Sequence, residues 1–572
     1  METDGAIAQE LTMTPPVSPA LPGALALTAL LAACGGGGSD SLAPAPAPAS
    51  GTAPGPAAAP TPAPQAQPPS SAESARFLAQ STLGASKTDI AAAQAGGFAA
   101  WIEAQFALPQ SQSHFDWLAA HGYNAENYRN NSTGLDNTLW RKLIASPDAL
   151  RQRVTLALSE ICVVSVLGVA TPWRQFCVGN YLDLLEANAF GNYRTLLGQI
   201  SLSTAMGYYL TFRGNVKANA TTGSEPDENY ARELMQLMTV GLYKLNPDGT
   251  PQAAETYGQA DVSGLARVFT GWDLDVTGLT QPLSPDVHRR PMAQVASRYE
   301  TGSKTFLGTT IPAGTAAPAS LSMALDALFA HPNLPPFIGR QLIQRLVTSN
   351  PSPGYVTRVA ATFADNGAGV RGDMKAILRA ILLDVEARNM GNVSAPSFGK
   401  LREPVTRFLN WARAFGATSA GDTWAVGDLS DPATKLGQSP MRSPSVFNFF
   451  RPGYVPPNSA IASSGLTAPE FQITTESSVA GYVNFMQKAV SGTGIGDVKT
   501  PYPTLMPLAG DSRALLDELN LVLAAGQLST ATLSMLASAL DSMSAGTDAG
   551  KFNRIWAALT LVLAAPEYIV QK

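Results

Sequence analysis

Phe552–Ala565 reads FNRIWAALTLVLAA and runs directly into Pro566. Its apolar residues recur at steps of three and four, the period of a helix with one buried face. The run Ile555 to Ala565 is too short to cross a bilayer, and Pro566 stops it, so it reads as a core helix. The same pattern recurs upstream. Ala75, Leu78 and Ala79 open one stretch, and Ile90 to Phe106 carries another with a break at Gly96-Gly97. Arg151 to Val166 is strongly apolar and periodic; Tyr181 to Ala189, Tyr230 to Val240 and Val262 to Thr270 follow. Leu321 to Ala330, Pro336 to Val347, Val356 to Ala364, Met374 to Leu383, Ala514 to Ala524 and Leu533 to Ala539 complete the series. Strand signals are thin. Leu242 to Gln252 contains the turn Asn246-Pro247-Asp248-Gly249, and Lys304 to Ile311 suits a short strand. The expected fold class is mainly α: one large multi-helix domain over 71–572 with at most short β-hairpins. Gly/Pro-rich stretches near 275–320 and 415–430 are either subdomain breaks or long surface loops.

The first seventy residues have a different character. Leu21 to Ala33 reads LPGALALTALLAA, an apolar segment of signal-peptide length. It ends at Leu31-Ala32-Ala33-Cys34 before four glycines, as in a lipobox whose cysteine is lipidated. Residues 1–34 are therefore expected to be a signal peptide with lipidation at Cys34. The first Lys or Arg is Arg76, so the usual basic start of a leader is missing, which suits a translation start further upstream. Residues 35–70 are dominated by Pro and Ala and lack an apolar payload to offset ordering entropy, so a disordered, semi-extended tether is expected. Together these features place the protein in the cell envelope, as an outer-membrane or periplasmic lipoprotein or a secreted protein. Its first partner is then the membrane itself, through the acyl chains on Cys34.

Composition narrows the function classes. The 572 residues are 14% charged and 45% hydrophobic, with a net charge of -5, and no Lys/Arg-rich block offers a footprint for nucleic acid. His114, His121, His288 and His331 are the only histidines, and none pairs with another at a metal-ligand spacing. No metal site and no cofactor is expected. With Cys34 lipidated, Cys162 and Cys177 remain; in an oxidising compartment they suit a disulfide, and otherwise two buried thiols.

Several segments carry a resemblance. They are Arg76-Phe77-Leu78 with Thr82-Leu83-Gly84, the octapeptide Asp227-Glu228-Asn229-Tyr230-Ala231-Arg232-Glu233-Leu234, and Asp261-Val262 through Thr270-Gly271-Trp272. Lys304-Thr305-Phe306-Leu307-Gly308, His331-Pro332, Leu436-Gly437-Gln438 and Pro444-Ser445-Val446 follow in order. In these segments, from about 75 to the C-terminus, the chain resembles the domain of unknown function 1800 family of exported bacterial proteins. The resemblance implies a secreted helical protein and a genetic association with a sulfatase-like exported partner, and it implies no established activity. Where relatives often carry His-Asp before the Lys-Thr segment, this chain has Tyr299-Glu300, and Met238 replaces another frequent His or Phe. Roles resting on those histidines do not transfer.

Chemistry is most concentrated in the octapeptide. Ser224-Glu225-Pro226-Asp227 reads as a helix start, with Ser224 as cap and Asp227 reaching back. The helix then sets Glu228 four residues from Arg232, and Asn229 four from Glu233. Glu228 and Glu233 could act as acid and base on an envelope polymer if their environments split their pKa values. The competing reading, which we favour, is a structural ion network in which Arg232 clamps the carboxylates. Tyr230 and Trp272 are core residues or pocket walls, and Lys304 is an anion-binding residue or an exposed loop lysine. Arg442 and Arg451 flank Val446-Phe447-Asn448-Phe449-Phe450, a contact surface or ordinary core. Asp365 to Asp373 lacks the ligand pattern of a calcium loop and reads as a connector, with Gly372-Asp373 capping the next helix. Two functions remain: a scaffold or binding protein working with another exported protein, or a hydrolase-like enzyme using Glu228 and Glu233.

Overall fold

A computed structural model describes residues 68–572, so the leader, Cys34 and nearly all of the Pro/Ala tether lie outside the described residues. The described chain folds into 23 α-helices with only short strand pairs. The first described helix is capped by side chains. Ser70 accepts a hydrogen bond from the Glu73 amide while the Glu73 carboxylate accepts one from the Ser70 amide, a reciprocal cap that starts the helix Ser71–Ser81. That helix packs on Ser512–Ala524 from the far end of the sequence. The last strand, Val570–Gln571, pairs antiparallel with Lys400–Leu401, so both ends of the described chain are tied into one body.

The C-terminal run forms the helix Asp548–Ala564, and Pro566 opens a separate turn, Pro566–Ile569. Ile555, Ala558, Leu559, Val562 and Leu563 are its buried face, packed against Glu476–Val490 and Ser512–Ala524. No helix among the described residues is long and apolar enough to cross a membrane. The first hairpin stands where expected, Tyr243–Leu245 with Pro251–Glu255, whereas Lys304 to Ile311, expected as one short strand, turns back at Leu307-Gly308 to pair Lys304–Phe306 with Thr309–Ile311. The connector after Pro353–Ala364 ends at Asp373, whose carboxylate accepts the Lys375 and Ala376 amides at the start of Met374–Leu382.

Several expectations are corrected. The apolar run 151–166 is helical only over Ala149–Ser159. Glu160 ends the helix by turning into a buried charge cluster. The β-branched Ile161, Val163, Val164 and Val166 then run on irregularly through the core, with the Val166 amide donating to Met441 O at 2.9 Å. The proposed disulfide is absent: Cys162 and Cys177 are both free and buried. Each thiol sits by a different hydroxyl, Cys162 by Tyr193 and Cys177 by Thr204 (3.5 Å), and burial pushes both thiols up to about 12. They are packing groups and not a clasp.

One contact joins two segments that lie about forty residues apart in sequence. The helix Gln259–Ala266 lies so close to the strand Lys304–Phe306 that a Cβ on Gly264 would sit 1.8 Å from Thr305 O. Asp261 Oδ1 accepts the Leu307 amide at 2.6 Å and closes the same contact. Only glycine permits that approach.

Candidate functional site

The octapeptide helix spans Asn229–Gln236, starting later than Ser224-Pro226 suggested. Ser224 instead pairs with Asn219 in an isolated bridge, and Asp227 Oδ1 accepts the Asn229 amide at 2.8 Å. The helix closes on Gly241, whose left-handed backbone lets its amide return to Met235 O. Tyr230 is fully buried: its ring stacks on Phe212 (centroids 4.2 Å apart), meets Phe269 edge-on, and its hydroxyl contacts Ser201 Oγ at 2.7 Å. Tyr230 is therefore core. Asn229 Nδ2 reaches Thr211 Oγ1 at 3.4 Å.

The two carboxylates of this helix live in opposite environments. Glu228 accepts from Arg232 Nη2 (3.0 Å), from Gln259 Nε2 (2.7 and 2.9 Å) and from Ser263 Oγ (2.5 Å). Burial pushes its pKa upward, but the bonds from Ser263, Gln259 and Arg232 hold it below the ordinary value. Arg232 also donates to Gln259 Oε1, so the trio locks this helix to Gln259–Ala266. Glu233 is 8% exposed and its Oε2 has no hydrogen-bond partner. Burial raises its pKa and Arg232 offsets only part of that; Tyr209 and Tyr257 are its other neighbours. The values are thus split, as acid–base work would require. Position defeats the pairing: residues five apart on a helix diverge by about 140°, so the carboxylates do not face one bond.

The remaining candidates separate from this helix. Trp272 is 4% exposed, with Nε1 donating to Val268 O at 3.2 Å. It is core along one edge and, along the other, wall of a groove of about 650 Å³ shared with Leu202, Leu321, Leu325, Arg194 and Arg290. Lys304 is not an exposed loop residue. It is fully buried in a strand, with Nζ over the Tyr299 ring at 4.7 Å and donating to Gly302 O, and burial lowers its pKa. No anion can reach it without displacing that packing. The Tyr299 ring thus covers the lysine. Arg442 clamps Asp136 with two bonds of 2.9 and 2.7 Å, and Arg451 stacks over Phe447.

Two ionic clusters escaped sequence reasoning. In the first, Glu160, Glu403 and Glu470 meet Arg153, Arg345 and Lys400, all buried. Arg345 Nη1 lies 3.1 Å from Glu160, Lys400 Nζ lies 3.5 Å from Glu403 and 3.2 Å from Glu470, and Gln438 Nε2 donates to Glu403 at 2.8 Å. The Glu160 and Glu403 carboxyls are in hydrogen-bonding contact, which needs one proton between them. Burial pushes Glu160 up to carry it, while Lys400, against the cost of burial, holds Glu403 down. The signal was a lone acid, Glu160, inside a strongly apolar run. Its partners are scattered over the sequence and share no spacing. In the second cluster His114, Asp183 and Glu186 bring ligand atoms within 4.8 Å of one another. A search for paired histidines passes over this grouping. The residues do not fit a metal well, because Lys142 Nζ already bonds one Glu186 oxygen while His114 Nε2 takes the other at 3.1 Å. Asp183 accepts the His114 and Phe115 amides at 2.7 and 3.0 Å, capping the helix His114–Ala120.

A compact helical body, hairpin-trimmed and braced by buried ion clusters, is the class of protein these features define. The family described as Protein of unknown function (DUF1800) matches residues 76–570, and the chain belongs to that family. No curated protein and no solved structure matches it.

Proposed function

We propose that this is an exported cell-envelope lipoprotein, anchored through Cys34, that works as a scaffold or binding protein beside another exported protein. The observation that carries the non-enzymatic reading is Glu228 saturated by Arg232, Gln259 and Ser263. The most characteristic segment of the chain then welds two helices together, as a structural ion network does. The hydrolase alternative loses its pair, since Glu233 stands alone with no second carboxylate beside it. The open groove edged by Trp272 offers apolar wall and arginine rim to a partner. The family resemblance suggests a sulfatase-like protein for that partner.

Cell fractionation tests this reading. Wild-type protein should sediment with membranes and carry acyl groups at Cys34 by mass spectrometry, bringing one exported protein with it in stoichiometric amount. Cys34→Ser should move to the soluble exported fraction. An unprocessed, unacylated chain in the cytosol would remove both the location and the partner from the account.

A further inference from the structure

The segment Leu436 to Phe450 folds over Glu160 and leaves a small, partly enclosed space beneath it. This cavity, of about 20 Å³, is lined by Glu160, Ser439, Ser443 and Asn448, with Leu156, Val164, Val405 and Phe449 among its apolar walls. Its size suits a water molecule. The polar side chains around it are incomplete. Ser439 Oγ, Ser443 Oγ and Asn448 Nδ2 are buried without a close hydrogen-bond partner, on residues 0%, 4% and 8% exposed, although the Ser443 hydroxyl lies near that of Tyr209. Three orphaned groups around one small cavity are a set and not scattered defects. The covering segment is also held in an unusual shape. Met441 and Asn448 both take left-handed backbone (φ 59° and 61°), and Met441 O accepts the Val166 amide. Strain of that kind persists where the surroundings fix it.

We propose that one internal water molecule occupies this cavity and joins the Leu436–Phe450 segment to Glu160. It accepts from Asn448 Nδ2 and one serine hydroxyl, and donates to the other serine and to a Glu160 oxygen. Those four bonds complete a tetrahedral set and satisfy every orphaned atom. A metal cation is disfavoured because an amide donor faces the site. An anion is disfavoured because the Glu160 carboxyl lines the site. The Leu436–Phe450 segment is thereby coupled twice to the buried cluster: Gln438 grips Glu403 directly, and the water grips Glu160.

A high-resolution crystal structure of the folded domain tests the site directly. The expected result is one fully occupied peak about 2.7–3.2 Å from Ser439, Ser443, Asn448 and Glu160. An empty cavity, or a peak at the shorter distances of a metal, would overturn the proposal. Ser443→Val removes a hydroxyl and fills the space, so the folded variant should lose the peak. Amide exchange over 439–450 should then speed about tenfold while the rest of the domain is unchanged. Unchanged exchange in that segment, in a variant that has lost the hydroxyl, would also contradict it. Should Ser443→Val fail to fold, the wild-type map alone decides.

Discussion

Glu403→Leu is expected to lower the unfolding free energy by about 3–5 kcal/mol. Glu403 is fully buried and its two oxygens hold Lys400 and Gln438. Leucine leaves Lys400, Arg153 and Arg345 facing a depleted set of acids, and an unpaired buried charge costs far more than the pair contributes. Part of the loss should be recovered within the cluster. Burial, the main cause of the raised Glu160 value, stays in place, but without Glu403 beside it the neighbouring carboxylate no longer adds to it, and Glu160 gives up its proton more readily. Lys400→Met combined with Glu403→Leu should cost less than the sum of the two single changes, because both partners of that pair go together, although Glu470 loses its contact with Lys400 and Gln438 its acceptor. Chemical denaturation of the two singles and the double checks this. A double variant as unstable as the sum of the singles would mean that the cluster is not a mutually dependent unit.

The second large effect is acid sensitivity through Glu186. Burial opposes its ionisation, but hydrogen bonding to His114 and the charge of Lys142 win, and its pKa falls from 4.5 to about 2. The folded value lies below the unfolded one, so this group stabilises the fold at pH above about 4.5. That contribution drains away as pH falls from about 4.5 toward about 2. The full effect corresponds to about 3 kcal/mol. Asp183 acts in the opposite sense, since burial raises its pKa and acid relieves it. The difference between wild type and Glu186→Gln isolates the Glu186 share. The variant should melt well below wild type at pH 7, and the two should converge as pH approaches 2. Parallel curves at all pH values would sink the assignment.

The helical architecture could be read from sequence because burial and spacing coincide. Ile555, Leu559 and Val562 repeat with the helix period, and Pro566 supplies its own stop. The first hairpin was legible for a similar reason, since Asn246-Pro247-Asp248-Gly249 specifies a turn locally. Arg151 to Val166 misled because apolar periodicity cannot tell a buried helix from buried irregular chain. What ended that helix was Glu160, whose partners Arg345 and Glu403 are remote in sequence. Cys162 and Cys177 misled because an even count says nothing about direction, and their side chains turn to Tyr193 and Thr204. Lys304 misled because lysine is usually exposed, and the Tyr299 ring that covers it lies outside its own strand. Within the octapeptide the clamp on Glu228 was half visible. Arg232 stands four residues on, whereas Gln259 and Ser263 come from another helix.

The account turns on Glu228 and Glu233 being independent, one clamped and one solitary. Side-chain carboxyl titration by nuclear magnetic resonance, in wild type and in Glu228→Gln, reads this directly. Glu228 should titrate below 4.5 and Glu233 above it, and Glu233 should keep its midpoint when Glu228 is neutralised. A Glu233 midpoint that drops in the variant, or two-step curves shared by both residues, would mean that the carboxyls face each other across one site. The acid–base reading would then replace the structural one.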